Sequence, residues 1–406
     1  MPQTAPIRRR RHGIGRVLLL ATLIVLGITA KLTLSAGSAV AAARAPAAVA
    51  TDDNAPHRRP VKVVAPERLK LRTTQGEVQL PAFMNLPFQD GARSFPNVRR
   101  AVIVMHGRLR DADRYFELSS AALKASAAEA DTLLIAPQMI STADAARHDL
   151  PASVARWRAE GWMGGEPALG PAPVSSFEFF DAIAATLADR SRFPNLERIV
   201  FAGHSGGGQV IQRYAVVGRA EAMLGARALA ATGSDDASAT HGAVRDGIRV
   251  RYVVANPSSY VYFDTQRPVA VAHCGDSNHW RYGMVNPVPY ISAQGELKGL
   301  EARYDARRVI YLLGGADTDP NHKALDKSCM AEAQGVNRLQ RGNSYFAYLQ
   351  RRASEQHLAL NHTRVEIPGV GHEADRMFNS VCGRAALFGT AGCELKPGAS
   401  LTAAPK

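Results

Sequence analysis

Short blocks of mostly apolar residues recur along the chain, at 101–105 (Ala-Val-Ile-Val-Met), 132–136, 199–202 (Ile-Val-Phe-Ala) and 309–313, and further strands that carry charged residues are expected at 249–255 and 363–367. Blocks of this length without polar alternation predict strands buried on both faces, as in a parallel sheet. Residues 69–73 and 77–80 alternate instead, about Thr74-Gln75-Gly76, and predict an opening hairpin. Three helices are expected between these blocks. One runs over roughly 112–128 behind Asp111 as a cap. Another runs from the capping box Ser175-Ser176-Phe177-Glu178 to about Asp189. The third follows the 199–202 strand and ends at Val217. Residues 138–174 read as a long irregular excursion. Residues 256–306 read as an aromatic-rich insertion between the sixth and seventh strands, and 363–367 as the last strand. Repeated strand–helix alternation predicts one α/β domain with a mostly parallel central sheet flanked by helices.

The bulk numbers change this picture only at the N-terminus. The net charge of +13 is concentrated in the first 44 residues, which hold seven bases and no acid; the remainder carries 42 basic against 36 acidic residues with the signs interspersed. That is a solvated surface rather than a groove tracking phosphates, so nucleic acid is not an expected partner. Arg8–Arg11 precede a 14-residue apolar stretch, 17–30, then small residues through Ala43 with Ala39-Val40-Ala41 as a cleavage site. This describes a secretory signal peptide over 1–43. The stretch is short for a bilayer span; left uncleaved, it would instead anchor the chain with the body outside, and a membrane is a partner only in that case. Residues 44–66, rich in Ala and Pro, read as a linker, 67–395 as the folded domain with the insertion at about 256–306, and 396–406 as a tail.

Four cysteines lie beyond the leader, and an even count in an oxidising compartment predicts two disulfides, with Cys274–Cys329 and Cys382–Cys393 the preferred pairing. His273, Cys274 and His279 match no standard zinc spacing, so no metal is expected there.

The chemistry centres on Gly203-His204-Ser205-Gly206-Gly207, placed between a buried strand and a helix. A G-x-S-x-G turn in that context exposes a serine above a sheet, its glycines removing the Cβ atoms that would collide. A serine hydroxyl needs a base within reach, and the base needs an orienting group. Both residue types follow later strands: 309–313 runs into Gly314-Gly315-Ala316-Asp317-Thr318-Asp319, and 363–367 into Pro368-Gly369-Val370-Gly371-His372. Asp317 and Asp319 both stand as the acid; His357 and His362 precede their strand and are worse placed than His372.

With His106-Gly107 after the third strand, these pieces resemble the α/β-hydrolase superfamily from about residue 68 to 390, in the order Ser, Asp, His. The resemblance implies an α/β-hydrolase fold with an inserted cap between the sixth and seventh strands. It further implies a serine hydrolase with Ser205 as nucleophile, His372 as base then acid, and Asp317 as orienter. The oxyanion hole would be the backbone N–H groups of Gly206 and Arg108. No metal or organic cofactor is needed. His106 is expected to orient its loop rather than act as a base.

Around the site, His106, Gly107, His204, Tyr260, Trp162 and Trp280 are candidate substrate-lining residues. The aromatics among them either wall an acyl pocket or form the insertion's own core. The resulting expectation is an exported, carboxylesterase-like serine hydrolase acting on a small-molecule or polymeric ester. The alternatives are a non-catalytic binding module on the same fold, or a peptidase, thioesterase or acyltransferase using the same three residues.

Overall fold

The computed structural model describes residues 55–89, 93–225, 247–275, 277–294 and 299–403. The chain divides into a first unit, Met1–Thr51, and a second, Asp52–Lys406, which carries everything below. The leader expected over 1–43 and the first part of the expected linker lie outside the described residues.

The strands, in chain order, are β1 (Glu67–Thr73), β2 (Gly76–Met84), β3 (Arg100–Met105), β4 (Thr132–Pro137), β5 (Ile140–Ser141), β6 (Arg156–Trp157), β7 (Arg198–His204), β8 (Arg249–Ala255), β9 (Val309–Gly314), β10 (His362–Ile367) and β11 (Ser400–Thr402). Nine of them form one sheet in the order β1-β2-β4-β3-β7-β8-β9-β10-β11, while β5 and β6 make a separate two-stranded pair. The β1–β2 and β2–β4 pairings are antiparallel. From β4 through β3, β7, β8, β9 and β10 to β11 every pairing is parallel. This is the mostly parallel sheet of an α/β-hydrolase fold.

Successive residues of the central strands feed opposite faces, as the pleat requires. Ile103, Ile135, Phe201, Tyr252 and Tyr311 enter the core on one side, and Val102, Val104, Leu134, Val200, Val253, Ile310 and Val365 that on the other. Each large apolar side chain fully buried in this way contributes about 1.5–3 kcal/mol.

The helices are α1 (Ala112–Ala125), α2 (Thr142–Arg147), α3 (Ser176–Leu187), α4 (Gly206–Val217), α5 (Pro289–Ser292), α6 (Leu300–Ala306), α7 (Cys329–Glu332), α8 (Arg338–Glu355), α9 (Ala374–Asn379) and α10 (Val381–Phe388). The expected capping box opens α3: Ser175 Oγ and the Glu178 carboxylate reciprocally take up backbone N–H groups. Helix α4 is buried along its whole length, so even Gln212 and Arg213 are inside. Tyr260 of the insertion stacks on Tyr345 of α8 with centroids 4.4 Å apart, Tyr262 packs tilted against Tyr348 at 4.5 Å, and Tyr290 packs edge-on to Phe177 at 5.3 Å. Much of the insertion's aromatic content is therefore core.

Three expectations are corrected. Residues 363–367 are not in the last strand: Ser400–Thr402 adds a ninth strand beside β10, so the expected tail is part of the sheet. The linker does not reach 66. The Val61 and Ala65 N–H groups bond to Asp144 and Gln138, and Arg110, held in place by Asp144 at 2.7 Å, donates to the His57 and Arg59 carbonyls. Three buried polar side chains from elsewhere in the fold thus draw the segment in. Asp111 occupies the cap position of α1, but its side chain makes no capping hydrogen bond, because its backbone (φ −80°, ψ 63°) departs from the extended geometry that aims a side chain at the first turn.

Both cysteine pairs form disulfides, Cys274–Cys329 with Cα atoms 5.7 Å apart and Cys382–Cys393 with 5.1 Å. Among the described residues no helix is long and apolar enough to cross a membrane.

Candidate active site

The turn from β7 into α4 is set by contact distances. A Cβ on Gly203 would lie 2.3 Å from the Gly207 backbone, and one on Gly207 2.3 Å from the Met105 carbonyl oxygen. Only glycine lets strand and helix approach so closely. Ser205 absorbs the turn at φ 60°, ψ −118°, a conformation unfavourable for any residue with a side chain, by about 1–3 kcal/mol. Its N–H bonds to the Ala255 carbonyl at the end of β8 (3.0 Å), which fixes the strained turn to the sheet.

Ser205 Oγ lies 2.9 Å from His372 Nε2, and His372 Nδ1 lies 2.8 Å from Asp317 Oδ2. An ionised carboxylate only accepts, so Nδ1 carries the proton and Nε2 is left to accept from the serine hydroxyl. Of the two acids weighed for this position, the loop brings Asp317 to the imidazole; Asp319 turns away and accepts the Asn321 N–H at 2.8 Å. The two loops are tied to each other. Gly315 N and Ala316 N donate to the Ile367 and Val370 carbonyls. The Asn256 side chain accepts from Gly314 N at 2.7 Å and donates to the Gly371 carbonyl at 3.0 Å.

Arg338, fully buried at the start of α8, completes the surroundings of the acid. Its Nη1 donates to Asp317 Oδ1 at 3.2 Å, its Nε to Ser258 Oγ at 2.9 Å, and its Nη2 faces His322 Nδ1 at 3.3 Å. Burial alone would raise the Asp317 carboxyl; the hydrogen bond and charge of His372, with the charge of Arg338, outweigh it and hold the group below its usual range. Burial lowers His372, the bond to Asp317 pulls it back up, and the Arg338 charge pushes it down again, leaving it below the ordinary histidine value.

Two further imidazoles flank His372: His204 at 4.6 Å between ring centroids and His322 at 5.1 Å. His204 is buried with the Tyr115 hydroxyl on Nδ1 at 3.2 Å, and burial keeps it neutral. It backs the His372 ring. His106 is fully buried, with Nδ1 2.8 Å from the Gly107 carbonyl and Nε2 accepting from Met139 N at 2.9 Å; burial lowers it to about 4. It fixes its own loop, which brings Arg108 to the serine turn. A Cβ on Gly206 would meet Arg108 N at 3.0 Å and Met163 Sδ at 2.9 Å. The Arg108 backbone nitrogen thus lies close against Gly206, the first residue of its helix, beside Ser205.

The remaining candidates separate. Trp162 is fully buried, edge-on to His106 at 4.8 Å with its indole N–H on Ala159 O, and Tyr260 is enclosed against Tyr345. Both are core residues and wall no open pocket here. Trp280 is partly buried; its indole N–H donates to Gly164 O at 2.6 Å and so clamps the turn carrying Met163. Asn256, Met163 and Arg338 were not singled out from the sequence for this site. Of these only Asn256, directly after a buried strand, carried a local signal. Among the described residues no group of His, Cys, Asp or Glu is placed to hold a metal.

No family model and no curated protein matches the chain in sequence. Solved structures do match in fold. Poly(aspartic acid) hydrolase-1 from Sphingomonas sp. KT-1 is 20% identical, with 80% of this chain and 100% of that chain covered and a TM-score of 0.52. LpqC, a poly(3-hydroxybutyrate) depolymerase from Bordetella parapertussis, is 18% identical, with 80% and 90% covered and a TM-score of 0.50.

Proposed function

We propose that this chain, an α/β-hydrolase by fold, is an exported serine hydrolase that cleaves carboxylic esters through an acyl-enzyme on Ser205. One observation carries the reading. Ser205, His372 and Asp317 come from three separate loops, yet stand in hydrogen-bond sequence at 2.9 and 2.8 Å above a strained turn. A packing role for the serine would not require that strain or an imidazole aimed at its hydroxyl.

In this reading His372 Nε2 takes the hydroxyl proton as Oγ attacks the acyl carbon, and Asp317 stabilises the imidazolium that results. The N–H groups of Gly206 and Arg108 receive the oxyanion; loss of one such donor typically costs about 3 kcal/mol in the barrier. His372 then gives its proton to the leaving alcohol. Water, deprotonated by the same imidazole, releases the acid and restores Ser205. The two disulfides support an oxidising compartment, hence export.

Fluorophosphonate labelling of the full chain beside Ser205→Ala and His372→Ala tests the nucleophile; labelling that survives Ser205→Ala removes it. A panel of esters, amides and thioesters, with poly(3-hydroxybutyrate) and poly(aspartic acid) included, then tests the bond cleaved. Faster turnover of amides than of matched esters would replace esterase by amidase. Asp317→Asn should lower kcat by several orders of magnitude while Asp319→Asn does not.

A further inference from the structure

Beside the oxyanion position stands the short turn Gly161–Gly164, preceded by Glu160. Its Met163 touches Gly206, and the insertion grips it from outside through Trp280 on Gly164 O and Arg281 on Glu160 O at 3.3 Å. Two guanidinium groups share the Glu160 carboxylate at this rim: Arg108 Nη1 lies 3.3 Å from Oε1, and Arg281 Nη2 lies 3.6 Å from Oε2. The third neighbour, His57 Nε2 at 3.4 Å, is lowered by burial first and then by the Arg108 charge, so it adds little charge at neutral pH.

Two permanently charged guanidiniums share the single Glu160 carboxylate, while the Asp326 carboxylate acts on Arg281 as well. The contacts are loose. Tight charge-assisted pairs close to about 2.7–2.9 Å, as Arg110 does on Asp144 at 2.7 Å, whereas the rim pairs stop at 3.3 and 3.6 Å. The Arg108, Arg281 and Glu160 side chains keep 29, 22 and 31% of their surface exposed, within reach of an incoming ligand.

We propose that Arg108 and Arg281 form an anion subsite beside the oxyanion position, and that the substrate bears a carboxylate close to the ester bond. Glu160 holds the two arginines in place when the subsite is empty, and the substrate carboxylate takes over that role on binding. Arg108 serves twice, its backbone N–H towards the oxyanion and its side chain towards the anion. The inference rests on the assignment of Ser205 as nucleophile and adds to it the class of substrate.

The test is a ratio, which is insensitive to general loss of activity. With the full chain, kcat/KM is measured for p-nitrophenyl hydrogen glutarate against p-nitrophenyl valerate. A second arm compares 4-acetoxybenzoate with phenyl acetate and places the carboxylate on the leaving group instead. A preference for the anionic ester of about tenfold at low salt, in either arm, is the expected result, weakening as salt is raised. Arg108→Gln and Arg281→Gln should each lower the ratio, and Glu160→Gln should raise it by freeing both guanidiniums. A purely structural cluster would give no such opposite signs. Equal or faster turnover of the neutral esters, with Ser205 still labelled by fluorophosphonate, overturns the subsite and leaves the hydrolase reading intact. If no ester is turned over, calorimetry of monomethyl glutarate with Ser205→Ala still decides: binding that Arg108→Gln removes supports the subsite, and no binding overturns it.

Discussion

Replacing Arg338 by Met tests how the acid of the proposed triad is held. The guanidinium is fully buried and has three partners, Asp317 Oδ1 at 3.2 Å, Ser258 Oγ at 2.9 Å and His322 Nδ1 at 3.3 Å. Methionine fills much of the same space with no charge, leaving the inner oxygen of Asp317 and the Ser258 hydroxyl without this donor. Breaking a buried ion pair from one side typically costs about 3–5 kcal/mol, and His372 remains on the other carboxylate oxygen, so about 3 kcal/mol of stability is expected to be lost. The pH dependence has a definite sign. The base must be neutral to act, so kcat/KM falls as pH drops through the His372 pKa. Burial, Asp317 and Arg338 together set that value, Arg338 acting downwards; removing its positive charge favours the imidazolium, and the acid limb moves to higher pH. The assay is a kcat/KM profile on a neutral p-nitrophenyl ester from pH 4 to 9, with urea unfolding in parallel to confirm that the variant is folded. Arg338→Lys should show a smaller shift, since the charge is kept while the fork that spans three partners is lost. A folded Arg338→Met protein whose acid limb stays put or moves to lower pH would refute the reasoning.

Three other outcomes are expected. Gly207→Ala places a Cβ 2.3 Å from Met105 O and 2.7 Å from His106 O, so the serine turn must open; stability should fall by about 1–3 kcal/mol and the proposed esterase activity much further than in Gly76→Ala, where no atom stands within 4 Å, though φ 125° strains that site too. Asp305 is buried with no partner for either carboxylate oxygen among the described residues, and burial, then the nearby Glu301, raises it to about 7. The folded state therefore holds a proton that the unfolded chain has released, and stability drains away as pH rises from about 4 to about 7. The ceiling is on the order of 4 kcal/mol; Asp305→Asn should flatten that slope in urea titrations at pH 4.5 and 8. The Cys382→Ser/Cys393→Ser double variant opens a loop of sequence separation 11 and should unfold with about 2–3 kcal/mol less stability than the oxidised chain.

What was legible in the sequence follows from distance along the chain. The serine turn was readable because its determinants, the apolar strand and Gly203 and Gly207, lie within nine residues of each other and act on neighbouring backbone. Asp317 and His372 were readable because each closely follows a stretch that reads as a strand, and the parallel order of the sheet brings such ends to one edge. The spacing within the Gly314–Asp319 stretch left Asp317 and Asp319 open, since which carboxylate meets the imidazole depends on bonds from Ile367 and Val370, over fifty positions away. Arg338 had no local mark: an arginine opening a polar helix looks like surface, and only the fold brings it against Asp317 and Ser258. The same holds for residues 55–65, whose composition is that of a linker yet whose backbone is captured by Arg110, Gln138 and Asp144.

Strand β11 was missed for a different reason. Three residues, Ser-Leu-Thr, are too few to show any period, and their place in the sheet comes from pairing with β10 after a crossing from α10. That pairing bears on the site. β10 ends in the loop that carries His372, and with β9 on one side and β11 on the other its backbone is bonded along both edges. An edge strand would leave that loop free to fray, since unpaired strand backbone at a sheet edge is solvated and open to exchange. Ending the chain after residue 397 should therefore do more than remove a tail. His372 would sit at the end of an edge strand, and amide exchange in residues 362–372 should quicken beyond that in β7, which stays paired on both sides. Equal protection of the two strands in the truncated chain would show that the loop is held by Asn256 and the Gly315 and Ala316 bonds alone.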